Sequence, residues 1–182
     1  MTNAFRALGA SIIDADKISK DIVQPGQEAL KEIERTFGEA LILSNGELNR
    51  KQLKQLVFSD SGALQKLEGI LHPRIRQEIN RQISEHHDEP YIIVDVPLLV
   101  EKNYQSMFDR IIVVDCLPEQ QIERVLMRDE MDENQIKKIM ETQADREERK
   151  RFATDIIDNS ASIESLSAQI KLLHQSFTGS PE

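Results

Sequence analysis

Tyr91-Ile92-Ile93-Val94-Asp95 and Arg110-Ile111-Ile112-Val113-Val114-Asp115 decide the fold of this chain. Each is an unbroken β-branched run that stops at an aspartate. A strand with one wet face alternates apolar and polar residues. A run without alternation suits a strand covered on both faces, as in a parallel sheet packed between helices. Two shorter runs, Ser11–Ile13 and Asp155–Asp158, complete a set of four. All four end in polar or turn residues. In open α/β sheets the chemistry gathers just beyond the carboxyl ends of the strands, so those ends are the first candidates for function.

Outward from the strands, the chain reads as helix. Between the first two strands, helical patterns cover Lys17–Val23, Gln27–Phe37, Arg50–Phe58, Ala63–Ile70 and Pro73–His86. Pro25-Gly26 and Asn45-Gly46 punctuate them as turns. This is too much chain for one crossover and predicts an inserted helical subdomain. After the third strand, Pro118 opens a helix through Arg128, at a position where its missing N–H costs nothing. Further helices are expected over about Asp132–Gln143, Arg146–Phe152 and Ile163–Phe177, with a frayed tail at Thr178–Glu182.

The composition narrows the function classes. A length of 182 residues suits one compact α/β domain with an insert. With 4% aromatics and no tryptophan, the core is expected to be mostly Leu, Ile and Val. The formal net charge of −9 argues against general nucleic-acid binding, where a basic face supplies most of the affinity. It leaves room for an anionic small substrate held by local arginines. The single cysteine, Cys116, excludes a disulfide framework or a cysteine-cluster metal site and reads as a small packed residue. No apolar run approaches the ~20 residues of a membrane span, and the N-terminus lacks a signal-peptide layout. A cytoplasmic protein with no membrane partner is the expectation.

Five stretches carry candidate chemistry. Asp14-Ala15-Asp16 follows the first strand: Asp16 either caps the next helix or accepts a proton from an attacking hydroxyl. In Leu71-His72-Pro73-Arg74-Ile75-Arg76, His72 either caps a helix opened by Pro73 or projects with Arg76 toward an anionic group. Asp95-Val96-Pro97-Leu98-Leu99-Val100-Glu101 is a restrained strand-end loop. Arg124, Arg128, Arg146, Arg149, Lys150 and Arg151 are interleaved with acids. They form either a solvated, ion-paired face or a lid whose arginine forks close on phosphate. Asp158-Asn159 ends the fourth strand, as ordinary turn chemistry or as a contact to a base edge.

Taken in order, DAD, LHP, VPLLVE, LMRD, the Gln143-Ala144-x-Arg146 segment and ATDIIDN resemble the dephospho-CoA kinase family over Asn3 through Asn159. The resemblance implies a P-loop NTPase-type parallel sheet flanked by helices, with a helical CoA-binding insert and a helical lid. The core would be 1–16, 91–117 and 152–182, the insert 17–90 and the lid 118–151. It implies ATP- and Mg²⁺-dependent phosphorylation of the ribose 3′-hydroxyl of dephospho-CoA. By position, Asp16 would be the base with Asp14 beside it, and Arg124 and Arg128 would stabilise the transferring group. Asn49, Arg50, His72, Arg76 and the loop Pro97-Leu98-Leu99 would hold the acceptor. Asn49 stands where such proteins commonly carry aspartate. Arg128, Gln143, Arg146 and Asn159 would serve the nucleotide. No protein residue is assigned to a metal.

One family motif does not occur. No G-x-x-x-x-G-K-[ST] loop exists in residues 1–182, and Met1–Gly9 matches the later part of the helix that follows that loop. The expectation is a start some fifteen to twenty residues further upstream, an order-of-magnitude figure from strand and loop lengths. Loss of that central strand would leave edges unpaired within the sheet. Two other readings stay open: a non-catalytic module that holds CoA-like or nucleotide ligands, and another small-molecule kinase of the same architecture.

Overall fold

Each β-branched run forms a strand, and each strand is parallel to one partner. A computed structural model describes residues 1–179; of the expected frayed tail Thr178–Glu182, Thr178 instead ends a helix and Gly179 caps it, and the rest lies outside the described residues. Strand β1 (Ser11–Asp14) pairs with β2 (Ile92–Asp95), in register from Ser11↔Ile92 to Asp14↔Asp95. Strand β3 (Ile112–Asp115) pairs with β4 (Asp155–Asp158), from Ile112↔Asp155 to Asp115↔Asp158. Both pairs therefore end on facing aspartates. β3 starts two residues later than its β-branched run. Arg110 instead turns its guanidinium onto Asp155, at 3.0 Å from Nε, and stacks 4.9 Å from the Phe177 ring centre.

The chain divides into two compact units. One is Ala10–Val96; the other joins Asn3–Gly9 to everything from Pro97 onward. In the first, β1 and β2 carry helices α2 (Ala15–Asp21), α3 (Glu28–Phe37), α4 (Arg50–Ser59) and α5 (Ser61–Glu85). Val23, Leu30, Ile33, Leu41, Leu53 and Ile70 form a buried aliphatic cluster where these helices meet, as a core poor in aromatics must. Both expected turns are present. Gln24-Pro25-Gly26-Gln27 closes with the Gln27 amide on the Gln24 carbonyl at 3.1 Å, and Gly26 takes φ +92°, the positive value that such a Pro-Gly turn requires.

The expected break at Pro73 does not occur. Ser61–Glu85 is one helix of 25 residues with Pro73 inside it. His72 is therefore a mid-helix residue and not a cap. A proline there removes one intrahelical hydrogen bond and crowds the carbonyl four residues back. Packing overrides it: Ala63, Leu67 and Ile70 before the proline and Ile75 and Ile79 after it are all buried. Gly69, whose carbonyl loses its donor, is exposed to water. Asp60 caps the helix, accepting from the Gly62 and Ala63 amides at 2.8 and 3.2 Å.

The second unit contains α1 (Thr2–Ala7), α6 (Pro118–Arg128), α7 (Glu133–Glu141), α8 (Arg146–Arg151) and α9 (Ile163–Thr178). Helix α9 packs on β4 and α8 on β3, with Ile157 and Ile170 fully buried. Among the described residues, no helix is long and apolar enough to cross a membrane.

Candidate active site

The carboxyl ends of β1 and β2 bring three carboxylates into one neighbourhood. Parallel register sets Asp14 beside Asp95. Asp14, and not Asp16, caps α2, accepting the Lys17 amide at 2.9 Å. Asp16 lies in the first turn of that helix with an exposed side chain. Crowding is visible on Asp95: partial burial, then the charges of Asp14 and Asp16, raise its pKa above the ordinary carboxylate value. Among the described residues, no group of three or more His, Cys, Asp or Glu is arranged to hold a metal ion.

In the same unit, His72 and Arg76 are four residues apart on α5, so they share a helix face. Their neighbour Arg74 faces elsewhere. Its guanidinium bonds the Ile70 carbonyl at 2.7 Å and pairs with Glu32, an anchor rather than a ligand. Asn49 caps α4, accepting the Gln52 amide at 3.1 Å, and its own amide donates to Gln52 Oε1. Arg50, in the first turn, reaches the Lys20 carbonyl at 3.3 Å. Arg50 also lines a cavity of about 220 Å³ with Val23, Gln24, Glu47 and Leu48.

In the second unit, Arg146 and Asn159 meet at Asp115, the end of β3. Arg146 lays Nε and Nη2 across the two oxygens of Asp115, both at 2.6 Å. This fork holds the Asp115 carboxyl below its ordinary pKa and raises that of Arg146. The loop with Pro97, Leu98 and Leu99 is closed by the Lys102 amide on the Leu98 carbonyl and the Tyr104 amide on the Leu99 carbonyl. Glu101, in the same loop, accepts the Ala144 amide at 2.8 Å. It thereby ties the loop to the segment carrying Gln143 and Arg146. On α6, Arg124 and Arg128 share a face and are exposed, and Arg128 pairs with its neighbour Asp129 at 2.7 Å. At the end of β4 the Asn159 amide donates to the Asp115 carbonyl at 2.7 Å.

Residues 1–165 match the family model described as CoaE, dephospho-CoA kinase. The chain belongs to the dephospho-CoA kinase family. A dephospho-CoA kinase from Nitrosospira multiformis is 42% identical over 176 residues, covering 96% of this chain and 88% of that protein. Another, from Aromatoleum aromaticum, is 44% identical over 168 residues, covering 92% and 82%. A solved dephospho-CoA kinase from Campylobacter jejuni superposes with a TM-score of 0.72 at 28% identity, covering 97% of this chain and 89% of that one. A Thermus thermophilus crystal structure gives 0.83 at 25% identity, covering 96% and 88%. The dephospho-CoA kinases are phosphotransferases, and parallel strands flanked by helices are the fold expected of the family.

Several site residues escaped the sequence reading. Asp115 ended a strand without a stated partner; its readable signal was the cluster of arginines downstream. Glu101 and Asp95 were quoted only as parts of a loop. Nothing in the spacing joins Glu101 to Ala144, which is forty-three residues away.

Proposed function

We propose that this chain transfers the γ-phosphoryl group of ATP to the ribose 3′-hydroxyl of dephospho-CoA, with Asp16 accepting the hydroxyl proton. Phosphoryl transfer asks little covalent chemistry of a protein and much positioning and charge stabilisation. The observation that carries the reading is the carboxylate group at the ends of β1 and β2. Asp14 is spent on its helix cap and Asp95 is crowded. Asp16 remains as the exposed carboxylate for a hydroxyl to approach. The acceptor's phosphates would meet Arg50, His72 and Arg76, with Asn49 fixing the helix start that carries Arg50. The resemblance to the family also assigns Pro97, Leu98 and Leu99 to acceptor binding.

Arg124 and Arg128 would close over the transferring group. The Arg128–Asp129 pair is exposed and worth little in water, so a phosphate can replace the aspartate. Arg146 engages Asp115 through Nε and Nη2, which leaves Nη1 for the nucleotide. Gln143 sits at the hinge of the same segment, and Asn159 would read the adenine. An all-protein Mg²⁺ cage does not fit the described residues. Mg²⁺ would arrive with the ATP phosphates, as it does where one or two carboxylates and substrate oxygens share it.

The test is a coupled ADP-release assay with dephospho-CoA. It is run on residues 1–182 and on a chain extended at its N-terminus by a strand and glycine-rich loop. Turnover that depends on dephospho-CoA in either form supports the reading. Turnover in neither form, with another acceptor working, favours a different small-molecule kinase. Ligand binding without turnover in both forms favours a binding module.

A further inference from the structure

We infer that Gln169, on α9, is a positioning residue that sets the turn Asp158-Asn159-Ser160 for nucleotide recognition. This deepens the reading of Asn159 as the adenine contact and rests on it. Gln169 lies beyond residues 1–165, the segment matched by the family model.

Along a strand, backbone N–H and C=O groups alternate sides. The Asn159 amide points to β3, bonding the Asp115 carbonyl at 2.7 Å. The N–H and C=O of its neighbour Asp158 therefore face the outer edge of β4, where no strand pairs with them among the described residues. Gln169 fills that gap. Its Oε1 accepts the Asp158 amide at 2.8 Å and its Nε2 donates to the Asp158 carbonyl at 3.0 Å. One side-chain amide thus takes the place of a neighbouring strand for one residue.

The far side of the turn is tied as well. The Ser160 amide donates to Asp158 Oδ1 at 2.8 Å, and Gln120 of α6 donates its Nε2 to the Ser160 carbonyl at 3.1 Å. Backbone groups on both sides of Asn159 are thereby held. The Asn159 side-chain amide, in contrast, makes no hydrogen bond among the described residues. A rigid turn that presents one unspent amide is what base recognition needs, because a preorganised donor–acceptor pair loses little freedom on binding. Adenine presents a donor (N6–H) beside an acceptor (N1), and guanine presents the reverse order (O6, N1–H), so an amide held in one orientation by its turn distinguishes the two.

The experiment measures dissociation constants for ATP, GTP and dephospho-CoA by titration calorimetry on the full chain. The variants are Q169L, Q120M and N159A, with a thermal melt of each. Losing both bonds between Gln169 and Asp158 should weaken ATP roughly 5- to 10-fold and shrink the ATP-over-GTP preference. Dephospho-CoA affinity should stay unchanged. Q120M should act in the same direction with a smaller effect, which keeps the inference testable if Q169L folds poorly. A merely structural glutamine would weaken all three ligands together or none, and that result overturns the inference. If N159A loses ATP preference while Q169L and Q120M keep it, the inference fails and the Asn159 reading stands. If N159A keeps ATP affinity and preference, or neither the unsubstituted chain nor its N-terminally extended form binds nucleotide, both fail.

Discussion

Replacing Pro73 with alanine should stabilise the protein and damage its acceptor site. Pro73 sits inside the 25-residue helix α5. In a helix interior, proline is about 3 kcal/mol less favourable than alanine. Part of that cost is already softened here. Gly69, the residue four before it, is exposed, so water satisfies its carbonyl. The buried residues on both sides of Pro73 hold the helix together regardless. Restoring one hydrogen bond and removing the ring clash should therefore return about 1–2 kcal/mol. For a chain of this size that is roughly 2–8 °C in Tm. Urea and thermal unfolding followed by circular dichroism would measure it. The activity should move the other way. Pro73 lies between His72 and Arg76, the two residues proposed for the acceptor, and its missing N–H and its ring constrain the backbone that carries both. The variant should show a raised KM for dephospho-CoA with ATP little changed. A variant that is less stable than the parent would refute the energetic argument. A stabilised variant with unchanged acceptor KM would refute the role given to Pro73.

Other expectations follow from the same structure. Asp95 has a pKa raised by burial and by Asp14 and Asp16, so its charge costs stability above its folded pKa and nothing below its unfolded one. Asp95→Asn should raise Tm at neutral pH, and the gain should vanish as pH falls through the carboxylate range. Asp115 has a lowered pKa because Arg146 bonds it, so the sign reverses. Its contribution is present at neutral pH and lost as pH falls through its folded pKa, and a melt series should find this acid-sensitive component missing in Arg146→Ala. Asp60 caps α5 with two hydrogen bonds, and Asp60→Ala should cost about 1 kcal/mol in urea unfolding.

The parallel strands were legible because unbroken β-branched runs have few other uses. Ser11, Ile92, Ile112 and Asp155 begin strands within two residues of the sequence limits. Pro118 and Arg128 bound α6 as read. Where the reading failed, a local signal lost to packing. Pro73 looked like a helix start, but the stripe from Ala63 to Ile79 buries as one face and carries the helix through it. Of the two readings of Asp16, the cap falls away, because β1 runs one residue further than its apolar run and puts Asp14 at the boundary. The long-range ties could not be read at all. Arg146 reaches Asp115, Glu101 reaches Ala144 and Gln169 reaches Asp158 through the fold and not through spacing. The sequence motifs named many of the candidate residues, and the backbone partners that hold them came only with the structure.

The proposed activity is decided by the product made from dephospho-CoA and ATP, and by what Asp16→Asn does to its rate. A base acts in the transition state, so the variant should lose turnover on the order of 10²-fold or more while its ATP affinity barely moves. The parent should yield ADP and a product phosphorylated at the ribose 3′ position, identified by phosphorus NMR. A variant as active as its parent, or a product phosphorylated elsewhere, would contradict it.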